Sequence, residues 1–282
     1  MLGLKKHVHV VEPGLDWGIF QSMYVDRKTN WLIPNVCLIE PDGKILFQTN
    51  ALRLKGPDVE PGTNIAIVWG DSQVFGAGTT GWPELMNEFS PSCVFLNGGI
   101  EGVDYVAVLQ RVVEFNRQHP VAVNVVLPGW HTVGKNKNFA SDLANVVEEV
   151  PNVVLATMPT SLTPSLASTD LAPYLTGFGE SPTVASLDEG FGFWGVEPYS
   201  IELAQRIYAH LLERNAAIRV VAGEQRVPLL DLFAAFDSRG VQDFRRDFFD
   251  IAHPRPRAYR EFAAVVYAEL APTVEALSSA SA

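Results

Sequence analysis

The sequence predicts an α/β protein built on a parallel sheet, and three observations carry that prediction. Short β-branched runs recur along the chain and are apolar at every position, as strands covered on both faces are. Helix-length amphipathic segments separate them, and strands alternating with helices favour parallel pairing through crossover connections. A chain of 282 residues is also long enough to bury one large core, since single α/β domains commonly reach roughly 250 residues.

Residues 1–60 differ in texture and read as an N-terminal β-rich extension packed on a core formed by 61–282. Within them "VCLIEPDGKILFQTN" reads as a hairpin turning at Pro41-Asp42-Gly43-Lys44. The repeat "HVH" at His7 and His9 reads as strand. Five runs then follow as core strands: "IAIVW" (65–69), "CVFLN" (93–97), "VAVNVVL" (121–127), "NVVLA" (152–156) and "IRVVA" (218–222). Between them, 103–118 places Val106, Leu109 and Val113 on one helical face, and 200–215 places Leu203, Ile207 and Leu211 likewise. The Ser-, Thr-, Pro- and Gly-rich stretch 159–198 reads as a long loop or lid insertion.

Composition narrows the function. With 21 basic against 32 acidic residues the net charge is -11, which leaves no basic stripe to neutralise a nucleic-acid backbone and disfavours a membrane-surface lipase. The partner expected is a small-molecule or glycan ester, with no nucleic acid and no membrane. Cys37 and Cys93 sit in apolar runs and read as small buried hydrophobes in a reducing compartment. The early lysines are followed by no sustained apolar segment, so a cytoplasmic location is expected. His7, His9, His119 and His210 form no metal-ligand pattern, and neither a metal nor a cofactor is expected.

In an open α/β sheet the ligand crevice lies outside the carboxyl ends of the strands, so the residues after each run carry the chemistry. Gly70-Asp71-Ser72 follows the first, Gly98-Gly99-Ile100-Glu101-Gly102 the second, and Pro128-Gly129-Trp130-His131 the third. A serine hydroxyl is a poor nucleophile unless a histidine takes its proton and a carboxylate orients that histidine. "DFFDIAHPRPRAYREF" supplies Asp250 and His253, three positions apart before a helical run. Asp71 reads as a brace for the serine turn through backbone hydrogen bonds.

Three blocks in order, "VWGDSQVFGAGTTGWPELM", "FLNGGIEGVDY" and "DIAHPRPRAYREFAAVVY", make the chain resemble the SGNH or GDSL-like hydrolases over roughly Asn50 to Leu270. The resemblance implies a three-layer α/β/α flavodoxin-like fold and a catalytic triad of Ser72, His253 and Asp250. It implies an oxyanion hole from the Ser72 and Gly102 N–H groups and the side chain of an Asn in the family's G-x-N-D block. Here that block reads "PGWHT", placing His131 where the Asn belongs. An imidazole N–H can also donate to an oxyanion. Asn97, Asn124 and Asn136 lack the Gly-x-Asn context. Trp130 and Gly99 are candidates to line the substrate pocket, and Gly99 competes with Gly102 as oxyanion donor.

The function expected is a serine esterase acting on a small O-acyl group such as acetyl, on a carbohydrate-like alcohol. Transfer of the same acyl group to a glycan, or glycan binding without catalysis, are the alternatives.

Overall fold

The sheet that positions everything else forms because four apolar segments can each be buried on both faces, with a short fifth strand at the edge. In the computed structural model, which describes residues 6–12, 15, 17–76, 79–129, 138–160, 201–239, 247–248 and 253–280, the core strands are β6 (Ile65–Gly70), β7 (Val94–Gly99), β8 (Val123–Val126), β9 (Val153–Ala156) and β10 (Leu229–Leu230). They pair in the order β10-β9-β8-β6-β7, parallel throughout. Strand β6, buried at every position, lies inside the sheet between β8 and β7, and the chain goes from it first to one side and then to the other. That reversal places the switch-point crevice between the carboxyl ends of β6 and β8.

Helices cover both faces. Tyr105–Asn116, Phe139–Glu149 and Ile201–Gln225 pack side by side, while Tyr259–Ala280 packs with Trp82–Leu85 and Leu232–Arg239 in a separate layer. The result is the three-layer α/β/α arrangement. Among the described residues no helix is long and apolar enough to cross a membrane.

Two expectations need correction. "IRVVA" (218–222) is not a strand; it lies inside the helix Ile201–Gln225. An apolar run does not distinguish a strand from one stripe of a buried helix. No breaker precedes it, and burial at Leu211, Ile218, Val221 and Ala222 with Val220 55% exposed has helical spacing. The helix ends where Arg226 adopts φ 56° before Pro228, and the fifth strand is the two-residue β10. On the helix Tyr105–Asn116 the buried stripe is Tyr105, Val108, Leu109, Val112 and Phe115. Val106 and Val113 flank it, because the charged Arg111 is drawn under the sheet edge in their place. Leu211 is buried as expected; the side chains of Leu203 and Ile207 and the whole of 161–200 lie outside the described residues.

The N-terminal region forms β1 (His7–Val10), β2 (Val25–Asp26), β3 (Trp31–Leu32), β4 (Val36–Ile39) and β5 (Ile45–Gln48). β4 and β5 make the antiparallel hairpin read from the sequence, with Gly43 at φ 89°, and β1 joins β4 in parallel. β2 and β3 form a second small ribbon. Both cysteines are buried and free.

The small sheet meets the large one through Lys55. Its backbone bridges Asn97 at the outer edge of β7, donating to Asn97 O and accepting from Asn97 N–H, which covers part of an otherwise open edge. Its ammonium is fully buried, donates to the carbonyls of Phe75 and Thr79, and lies over the rings of Phe47 and Phe75. Burial pulls its pKa down, and Glu84, 3.5 Å away, opposes that shift.

Lys55→Ala strands the Glu84 carboxylate and two carbonyls, and should cost about 3–5 kcal/mol, as breaking one side of a buried ion pair does. Urea unfolding should also show Lys55→Met combined with Glu84→Gln recovering much of the loss; equal loss in both variants would contradict the pairing.

Candidate active site

At the end of β6 the chain turns sharply at Gly70-Asp71 into a four-residue helix, Ser72–Phe75. Asp71 caps it: its Oδ1 accepts from Gln73 N–H at 3.0 Å, as its place before the helix suggested. Val74 and Phe75 N–H groups close on Asp71 O. The turn is sealed from two sides by glycine. A Cβ on Gly70 would meet Val74 Cγ2 at 2.3 Å, and one on Gly129, which sits after β8 at φ 84°, would meet Asp71 Oδ2 at 2.4 Å. The loops after β6 and β8 thus meet at the switch point.

Ser72 Oγ lies 2.7 Å from His253 Nε2, and both residues are 4% exposed. Two positions 181 residues apart in the sequence are thereby in direct hydrogen-bond contact. The chain approaches His253 through a reversal in which Phe248 bridges Pro254 and Arg255 N–H donates to Asp247 O at 2.7 Å. Asp250 lies outside the described residues, as do Trp130, His131 and Asn136.

Gly102 follows β7 by a tight turn at φ 71° and is exposed. Among the described residues nothing accepts a hydrogen bond from its N–H or from that of Ser72.

Gly99 does not line a pocket and does not compete for the oxyanion. It is buried beneath the serine helix, where an added Cβ would meet Phe75 N at 2.3 Å, and its N–H is already donated to Asn97 Oδ1. Asn97 itself braces the helix from below, donating to Val74 O, Phe75 O and Glu84. Asn124 is committed elsewhere, between Trp69, Asn116 and Pro151.

Sequence reasoning missed Glu101. It is 1% exposed, its Oε2 accepts from Tyr24 OH at 2.9 Å and Gln21 Nε2 at 3.1 Å, and its Oε1 is buried without a partner. Burial pushes its carboxyl up to about 7, against the two hydrogen bonds and the charges of Lys55 and His253. A carboxylate inside an otherwise apolar and glycine turn, "GGIEGV", was the available signal. Four surface grooves, including one of 460 Å³ lined by Val106, Leu109 and Val113, are lined by residues other than Ser72 and His253.

Among solved structures, the chain is similar to a lipase/acylhydrolase from Enterococcus faecalis (14% identity, 73% of this chain and 95% of that one, TM-score 0.51). It is also similar to LAE5, an alpha/beta hydrolase enzyme from the metagenome of Lake Arreo, Spain (14%, 76% and 97%, TM-score 0.50). A member of the lipolytic protein G-D-S-L family from Veillonella parvula aligns at 14% identity over 74% and 96%, with a TM-score of 0.49. No family model and no curated relative matches the sequence. The first two likenesses establish the fold: this is the α/β/α hydrolase fold expected from the three sequence blocks.

Two outcomes follow. Gly99→Ala should destabilise by about 1–3 kcal/mol through overpacking and should displace Ser72, so thermal unfolding and the rate of serine labelling by a fluorophosphonate should both fall. Glu101 holds a proton in the folded chain that the unfolded chain releases first, so its contribution to stability is full below pH 4.5 and declines as pH rises to about 7. The lost increment is on the order of 3 kcal/mol. Glu101→Gln should flatten the unfolding free energy across that window, and an unchanged slope would show that another group carries it.

Proposed function

We propose that the chain is a serine esterase that releases a small O-acyl group, acetyl being the preferred case, from a carbohydrate-like alcohol. The observation that carries this reading is the 2.7 Å contact of Ser72 Oγ with His253 Nε2 at the carboxyl end of β6. A hydroxyl in that contact with an imidazole can lose its proton as it attacks, which ordinary turn serines cannot do.

In this reading His253 accepts the Ser72 proton while Ser72 Oγ bonds to the ester carbonyl carbon. The carbonyl π electrons move to oxygen, where the Ser72 and Gly102 N–H groups and the His131 imidazole stabilise the charge. Collapse expels the alcohol oxygen, which takes the proton from His253, and leaves the acyl group on Ser72. Water, deprotonated by His253, repeats the sequence and frees the acid. Asp250 orients the imidazole, and Trp130 lines the pocket. A small acyl group suits a nucleophile and base that are each only 4% exposed. The substrate is a diffusible ester or glycan, met without nucleic acid, membrane or cofactor, in the cytoplasm.

Intact mass after fluorophosphonate treatment should show one adduct, mapping to Ser72. Ser72→Ala should take none and lose turnover of p-nitrophenyl acetate by at least about 10⁴-fold. Undiminished hydrolysis by Ser72→Ala in folded protein would reject the mechanism.

A further inference from the structure

One side chain from the N-terminal region touches both the serine helix and the turn that precedes Gly102. The Tyr24 ring stacks on Phe75, the last residue of the serine helix, with centroids 5.3 Å apart and planes 12° from parallel. Phe47 packs at right angles to both rings, 5.0 Å from Tyr24 and 5.5 Å from Phe75, and Phe20 lies 5.1 Å from Tyr24. At the far end of the same ring the hydroxyl donates to Glu101 Oε2 at 2.9 Å. Glu101 immediately precedes Gly102, whose φ of 71° few other residues adopt.

Gln21 completes the clamp. Its amide donates to the same Glu101 oxygen, while its own oxygen accepts from Arg27. Arg27 Nη1 lies 3.8 Å from where a Gly102 Cβ would stand. One carboxylate oxygen is therefore gripped twice by residues 77 and 80 positions earlier in the chain, and the other is buried with no partner. A lone orphaned oxygen in a dry site costs free energy, so folding stability alone gives no reason for this carboxyl.

We propose that Glu101 is a positioning residue that fixes the oxyanion loop, and that Tyr24 and Gln21 set its distance from the serine helix, making the N-terminal region part of the esterase site. The inference rests on the esterase reading above. The titratable and charged groups that face Glu101 are Tyr24, Lys55 and His253, with Arg27 behind Gln21. Ionised Glu101 favours the imidazolium of His253 and opposes negative charge at the oxyanion, so its protonation state should appear in kcat.

The experiment compares full-length wild type, Tyr24→Phe, Glu101→Gln and Glu101→Ala, using p-nitrophenyl acetate kinetics from pH 5 to 9, fluorophosphonate labelling rates and thermal unfolding. Glu101→Ala should lose about 100-fold in kcat, the scale of a misplaced catalytic group, with KM changed by less than about threefold. Tyr24→Phe keeps the ring and loses the hydroxyl bond, and should fall in between. Glu101→Gln should restore most of kcat, because its amide oxygen still accepts both bonds, while losing one ionisation from the pH profile near 7. The double variant Tyr24→Phe, Glu101→Ala should be no worse than Glu101→Ala alone. If Glu101→Ala does not fold, Tyr24→Phe and Glu101→Gln still decide. Wild-type kcat in both folded variants, or loss of kcat in proportion to loss of folded protein, overturns the positioning role while leaving the esterase reading intact. Wild-type protein that takes no label at Ser72 and cleaves no ester removes both.

Discussion

Everything at this site depends on how closely the serine helix approaches the strand beside it. Phe75 N lies 2.3 Å from the point where Gly99 would carry a Cβ, a separation open only to glycine. With the helix seated there, Asn97 can reach the carbonyls of Val74 and Phe75, and Lys55 can reach Phe75 from the other side. On the β8 side, Gly129 lets the Asp71 carboxyl close in to cap the turn. The short helix that begins at Ser72 is thus held from the ends of β6, β7 and β8, and the Ser72 hydroxyl contacts His253.

The frame of this arrangement was legible in the sequence. β-branched runs gave four of the five core strands to within a residue or two, and the glycine-rich turns after them lay where the parallel topology puts a ligand crevice. Ser72 and His253 could be matched because each sits in a recognisable block. What was not legible has physical reasons. The run at 218–222 carries the same residue types in a helix as in a strand, and only burial at Ile218, Val221 and Ala222 separates the two. Gly99 was misread because a glycine that makes room for backbone and one that faces a substrate look alike on paper. The roles of Lys55, Tyr24 and Glu101 come from contacts spanning 20 to 77 positions, for which no local pattern exists.

The N-terminal region and the hydrolase sheet share one continuous buried cluster, running from Val11 and Phe20 through Phe47 to Phe75 and Phe95. A second contact surface lies below the sheet edge. There Arg111, 2% exposed, lies over the rings of Trp31 and Trp69 and donates to Gly98 O. Burial pulls its guanidinium down to about 9, so it still carries its charge at neutral pH. Trp31 belongs to the β2-β3 ribbon and Gly98 to β7, so this one cation ties the ribbon to the strand that leads into the Gly102 turn. Desolvated cations over aromatic faces contribute about 2 kcal/mol, enough to fix an orientation though small beside the cost of burying the charge.

Burial of ionisable groups on this scale is hard to explain by stability. Lys55, Glu101 and Arg111 each leave water almost completely, and both Glu101 and Arg111 retain polar atoms with no partner among the described residues. Apolar side chains of similar volume would fill the same space at lower cost in free energy. All three contact or adjoin backbone at the serine helix or near the turn after β7: Lys55 at Phe75 O, Arg111 at Gly98 O and Glu101 beside Gly102. A hydrogen bond from a buried cation fixes the direction of a carbonyl, and with it the peptide plane and the N–H on its other side, in a way that apolar packing does not. Under the esterase reading proposed above, an oxyanion site made largely of backbone N–H groups depends on peptide-plane orientation, which these buried groups are placed to hold.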